Sequence, residues 1–168
     1  MNLVRKLQRH TPQPTCLRRN TWCGPYAVAA ITGFDYDQAY DACLLASRSK
    51  RILVMSAFGV WSTLKELWPT LDYDRQEIFD QNIDGSNEIR DFTTGKSLIE
   101  YNTRPTFTQW LRTRDRKSAY LVTLTRHYVV VAGDRVIDNH MLRWTNLGSS
   151  LHRRTRVRRV WRLALSGS

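Results

Sequence analysis

Cysteine is scarce in this chain. Its 168 residues hold three, Cys16, Cys23 and Cys43. That odd number, at spacings that fit neither a disulfide framework nor a zinc site, suits a reducing compartment and leaves at least one thiol free. No stretch approaches the roughly 18 apolar residues of a membrane span, and the leading MNLVRKLQRHTPQPT has no apolar core of signal-peptide length. These absences predict a soluble intracellular protein with no membrane contact, no bound metal and no cofactor. Internal repeats are missing too, which removes solenoids and propellers. With 42% hydrophobic and 24% charged residues, the length suits one domain over 1–168 whose core needs no disulfide support.

Acidic residues are few as well, 15 against 26 basic ones, and only 5 of the basic residues are lysine. The net charge of +11 and isoelectric point near 10.1 attract polyanions and acidic protein surfaces but say nothing about fold. Nonspecific affinity for nucleic acid is expected from charge alone.

What is present reads as helices first and strands second. Residues 1–19 are basic and interrupted by proline, which predicts an irregular arm. Pro25 is tolerated in the first turn of a helix and Gly33 suits the position just past the end of one, so Cys23 falls at a helix N-terminus. A second helix starts with Asp35 or Asp37 as N-cap and lines up Tyr36, Tyr40, Cys43 and Leu44 on one stripe. A third runs from about Val60 to Trp68 and is stopped by Pro69. Residues 71–102 are polar, with turn signals at Asp84-Gly85-Ser86-Asn87 and Thr94-Gly95, and read as an irregular insertion suited to substrate contact. Thr106 and Gln109 make a capping box for a short helix through Leu111.

Beyond that point the period changes. Residues 120–124, 127–132 and 135–138 are β-branched, apolar runs, the last two joined by the two-residue hairpin signal Gly133-Asp134. Residues 141–144 extend the sheet, and 155–165 make a final strand whose interleaved arginines form a solvated face. The expected class is α+β, with N-terminal helices packed on a small antiparallel sheet.

Taken literally, the two-residue turn pairs Ala132 with Arg135, Val129 with Asp138 and His127 with His140. Side chains two apart share a face, so His127 and Asp138 become diagonal neighbours, close enough for the carboxylate to hold the imidazole N–H. Asn139 faces the other way unless the loop gains a residue, because a one-residue slip exchanges the faces. Independently, a thiol at a helix N-terminus feels aligned N–H dipoles that favour the nucleophilic thiolate. Docked on His127, Cys23 would form a thiolate–imidazolium pair. Its backbone N–H would supply one oxyanion donor, and Asn20 or, next in order, Gln13 the second. Trp22, beside the nucleophile, is the tryptophan expected to touch substrate. Cys43 reads as core and Cys16 as part of the arm. Each feature alone has a structural explanation; their conjunction, in the order Cys, His, Asp, points to a thiol hydrolase.

The stretches NTWCGPYAVAAITGFDYDQAY and RHYVVVAGDRVIDN resemble the papain-like cysteine peptidase superfamily, and more narrowly the small papain-like proteins of bacteriophage and bacterial genomes. The resemblance implies helices headed by the nucleophile, packed on a small antiparallel sheet, with the active site in the cleft between them. It implies Cys23 as nucleophile, His127 as general base and acid, and Asp138 as the orienting residue. Many members carry a glutamine shortly before the cysteine as an oxyanion donor, and that position is Leu17 here. The implied activity is hydrolysis of peptide or isopeptide bonds in a protein or peptide substrate; the basic surface favours acidic ones, and the expected location is the cytoplasm, that of the host if phage-encoded, or a virion. The competing expectation is a non-enzymatic basic protein that binds nucleic acid or an acidic partner through the arginine-rich residues 152–162.

Overall fold

The computed structural model describes residues 2–13, 21–48, 52, 55–78, 89–90, 97–98, 104–150 and 152–165. Among these lie five helices: α1 (Leu3–Gln8), α2 (Cys23–Thr32), α3 (Tyr36–Ser47), α4 (Ala57–Leu67) and α5 (Phe107–Thr113). The strands are β1 (Leu71–Ile78), β2 (Ile89–Arg90), β3 (Ser97–Leu98), β4 (Ala119–Leu124), β5 (His127–Ala132), β6 (Arg135–Ile137), β7 (Thr145–Asn146) and β8 (Val157–Leu165). Six of them form one antiparallel sheet in the order β1-β8-β4-β5-β6-β7, while β2 and β3 pair with each other. The molecule is mixed helix and antiparallel sheet, as the composition of the two halves predicts.

The helix α2 is the hub. Every residue from Gly24 to Ile31 is buried, so the helix is apolar all round and needs neighbours on all sides. It finds them in α1, α3, α4 and β5. Gly33 ends it with φ of 84°, a left-handed conformation that glycine adopts without steric cost. Asp35, the first of the two candidate caps, opens α3 with a full capping box that includes Gln38. Ser56 starts α4 ahead of Val60 by accepting the Gly59 N–H at 3.1 Å. The capping box of Thr106 and Gln109 opens α5 as expected.

Four expectations are corrected. The arm over 1–19 is not irregular throughout: Asn2 Oδ1 accepts the Val4 N–H at 2.9 Å, α1 follows, and Gln8 Nε2 ties it to the Ala132 carbonyl at 2.6 Å. Within 71–102, residues 71–78 form an edge strand paired to β8, and 89–90 pairs with 97–98. The turn signals at 84–87 and 94–95 lie outside the described residues. Residues 141–144 do not extend the sheet; Leu142 takes a left-handed φ of 53° and Thr145–Asn146 supplies the edge instead. Finally, the last strand, β8, sits between β1 and β4, so Arg158, Arg159 and Arg162 are half-buried instead of forming one solvated face.

The sheet separates two apolar layers. One face carries Leu121, Val130, Ile137, Trp161 and Leu163 against the α2–α4 side. The other carries Val122, Val129, Val131, Val136 and Val160 against Phe107 and Trp110 of α5. Each such side chain removed from water contributes about 1.5–3 kcal/mol, which makes this three-layer stack the main source of stability.

Candidate active site

The β5–β6 hairpin has the register read from its turn. Ala132 pairs with Arg135, Val131 with Val136 and Val130 with Ile137, around Gly133 at φ of 56°. Asp138 follows directly on the same face as Val136, and its Oδ2 accepts a hydrogen bond from His127 Nε2 at 2.7 Å. Asn139 turns the other way, donating Nδ2–H to the Thr21 carbonyl at 2.8 Å while the Thr21 hydroxyl donates to the Asn139 carbonyl at 3.3 Å. This two-way clasp ties the hairpin to the residues just before Cys23.

The faces explain where the pair can act. His127 and Asp138 belong to the hairpin face that carries Val129, Val131 and Val136, the α5 side. They reach the α2 side because His127 is the first residue of β5, at the very end of the sheet, where the head of α2 arrives. Cys23 is the first residue of α2 and is half-buried, and its amide has no acceptor inside the helix. The Trp22 N–H is held by the Tyr36 hydroxyl at 2.8 Å, and the Tyr128 hydroxyl is held by the Met55 carbonyl at 3.0 Å. Gly24 packs closely beside the thiol: a Cβ there would lie 3.0 Å from Met55 Sδ and 3.1 Å from its Cβ, so Met55 would have to give by a few tenths of an ångström.

Electrostatics follow from this packing. Burial disfavours a charged His127, yet hydrogen bonds to Asp138 and to Cys23 outweigh it and raise the imidazole pKa to about 9. Burial would likewise raise Asp138, but hydrogen bonds from His127, His152 and the Met141 amide hold its carboxyl well below the usual carboxylate range. Its Oδ1 also accepts the His140 N–H at 3.0 Å, so the buried carboxylate has two donors on each oxygen. Burial, with the nearby Cys23 sulfur, pushes the Tyr128 hydroxyl up to about 12.

His152 is the member that the sequence did not reveal. Its Nε2 also bonds Asp138 Oδ2, and its ring lies 4.6 Å from that of His127, while the exposed His140 stacks 5.0 Å away on the same imidazole. A lone histidine opening an arginine-rich run carries no local signal, since only the return of the chain into β8 brings it to the hairpin. The donor atoms of His127, Asp138 and His152 all lie within 4.8 Å of one another, and this is the set of described residues able to hold a metal ion.

Cys23 and His127 share a cleft of about 590 Å³, a size that admits a small ligand or several residues of an extended peptide. Trp22, Met55, Leu124 and Arg126 also line it, so Trp22 is where a substrate-contacting residue is expected. Of the two expected oxyanion donors, Gln13 is exposed and Asn20 lies outside the described residues, as does Cys16. Cys43 is buried in the core, as read. A second, more open depression of about 430 Å³ lies elsewhere, lined by Arg112, Arg114, Arg116 and Arg153 around Asp134. Among the described residues, no helix is long and apolar enough to cross a membrane.

Compared with known proteins, the chain matches no family model, no curated protein and no solved structure.

Proposed function

We propose that the protein is a papain-like cysteine hydrolase that cleaves peptide or isopeptide bonds through an acyl-enzyme on Cys23. The observation that carries this reading is the position of His127, between a half-buried thiol at a helix head and a fully hydrogen-bonded buried carboxylate. His127 takes the thiol proton, and the thiolate attacks the substrate carbonyl. The Cys23 N–H, unused by the helix, faces the developing oxyanion. The imidazolium then donates its proton to the leaving amine; water attacks the thioester and gives its proton to His127. Asp138 fixes the imidazole tautomer throughout. Arg126 at the cleft favours acidic groups in the substrate.

The test is mass spectrometry of the full chain treated with a peptide vinyl sulfone. An adduct on Cys23 that disappears in His127→Ala is expected; an adduct on Cys16 or Cys43 instead would sink the reading. A second reading, binding of nucleic acid or an acidic partner, is favoured by the arginine-lined depression. Phosphate contacts release counterions, so affinity there must fall steeply between about 50 and 200 mM salt.

A further inference from the structure

We propose that His127, Asp138 and His152 form a site for a divalent transition-metal ion of the zinc class, and that metal bound there stops the thiol chemistry. The second half rests on the hydrolase reading above; the first does not. Two imidazole nitrogens and one carboxylate oxygen are a donor set that zinc accepts at about 2.0–2.2 Å, with a fourth position left for water. Here the two Nε2 atoms converge on Asp138 Oδ2 from the start of β5 and from the connection into β8. The carboxylate side chain is 0% exposed, and those of His127 and His152 are 12% and 15% exposed, so the donors sit on a buried floor with an opening on the imidazole side. The backbone N–H groups of His140 and Met141 hold the other carboxylate oxygen, as a supporting shell does in a metal centre. Positions 127, 138 and 152 match no short ligand motif, which is why the chain reads as metal-free.

The consequence for catalysis lies in the tautomer. In the metal-free protein His127 Nε2–H points to Asp138, which leaves Nδ1 as the nitrogen for Cys23. When Nε2 of either histidine binds metal, an Nε2–H bond is replaced by an Nε2–metal bond, the displaced proton goes to solvent or to the ring's own Nδ1, and nothing is oxidised. With Nε2 on the metal, Asp138 no longer holds the Nε2–H tautomer that presents a bare Nδ1 to Cys23. His127 then neither accepts the proton of the attacking water nor releases one to a leaving amine. The Cys23 thiol likewise loses the base that takes its proton, so acylation and deacylation both stop, even with an activated ester that needs no acid.

The experiment titrates the full chain, stripped of metal, with Zn²⁺ by calorimetry and with Co²⁺ by visible absorption, and follows p-nitrophenyl acetate hydrolysis with and without Zn²⁺. One-to-one binding is expected, with equal affinity in Cys23→Ala. Loss of a direct ligand should weaken it by roughly a hundredfold or more in His152→Gln, since even supporting partners are worth 10–100-fold. Zn²⁺ should abolish p-nitrophenol release, the initial burst included. Absence of binding in the parent chain, binding lost in Cys23→Ala, or binding unchanged in a folded His152→Gln overturns the site. Unaltered turnover at saturating Zn²⁺ overturns the switch. His152-dependent binding in a chain that never turns over would leave the metal site standing and remove the hydrolase reading, so the two fail separately.

Discussion

Two thiols on successive helices live in opposite surroundings. At the head of α2, Cys23 is half-buried in a cleft, next to free helix N–H groups and a histidine backed by a carboxylate. In the middle of α3, Cys43 is sealed in the core with the Thr63 hydroxyl beside its sulfur, and burial pushes its thiol up to about 12. Residue type is the same; place along the helix and access to a charged partner differ. The same side chain therefore meets different surroundings at a helix end than in a sealed core.

The sharpest way to break this contrast is to remove each sulfur. Cys23→Ala should lower turnover by roughly six orders of magnitude, the scale seen when a nucleophile is removed, with little change in Tm. Its measurement is kcat on a peptide substrate alongside thermal unfolding. Next in size, Asp138→Asn should cost about four orders of magnitude in kcat, because an amide no longer enforces the His127 tautomer. That variant also tests linkage. The Asp138 carboxyl lies below its ordinary range in the folded protein, so its stabilisation is complete above the unfolded value of about 3.9 and is lost as pH falls. Acid titration by circular dichroism should show the parent's advantage over Asp138→Asn shrinking below that pH; a constant advantage down to pH 2 contradicts it.

A smaller effect comes from pH alone. In chelator-treated protein, kcat/KM should decline about tenfold per pH unit above the His127 value of about 9, as the imidazolium needed by the leaving amine disappears. The raised value also means that the charged imidazole stabilises the fold fully below about 6.5 and ceases to do so as pH climbs through 9. Smallest of all, Cys43→Ala should cost about 1 kcal/mol through the cavity it leaves and should not change the labelling of Cys23. Iodoacetamide should reach Cys43 only after unfolding, and modification of Cys43 in the native protein would erase the contrast.

Some of this was legible because the determinants are local. Pro25 and Gly33 bracket α2, and the two-residue Gly133-Asp134 turn leaves one register, which is why His127 and Asp138 meet as read. Where the determinants are distant, reading failed. Leu71-Asp-Tyr-Asp looks polar because an edge strand needs few apolar residues, and its partner Leu165 lies at the far end of the domain. The arginines of β8 suggest a solvated face, yet their aliphatic stems run through an interior strand. α1 is announced only by Asn2, and His152 by nothing near it.

The central place of β8 has a consequence in time. Neighbouring strands β4, β5 and β6 pair through tight turns and can form as soon as they are made. The first strand of the sheet, by contrast, has no partner until residues 157–165 arrive and slide between it and β4. Such non-local pairing is slow, because a long loop must close before any contact rewards it. Pulse-labelled hydrogen exchange should therefore find β5 and β6 amides protected before those of β1. Until that insertion the β4 edge stays open, and His152, which leads into β8, is not yet on Asp138. Assembly of the sheet and completion of the carboxylate's partners are then one late event, so that a half-made chain carries Cys23 and His127 before Asp138 has its full set of donors.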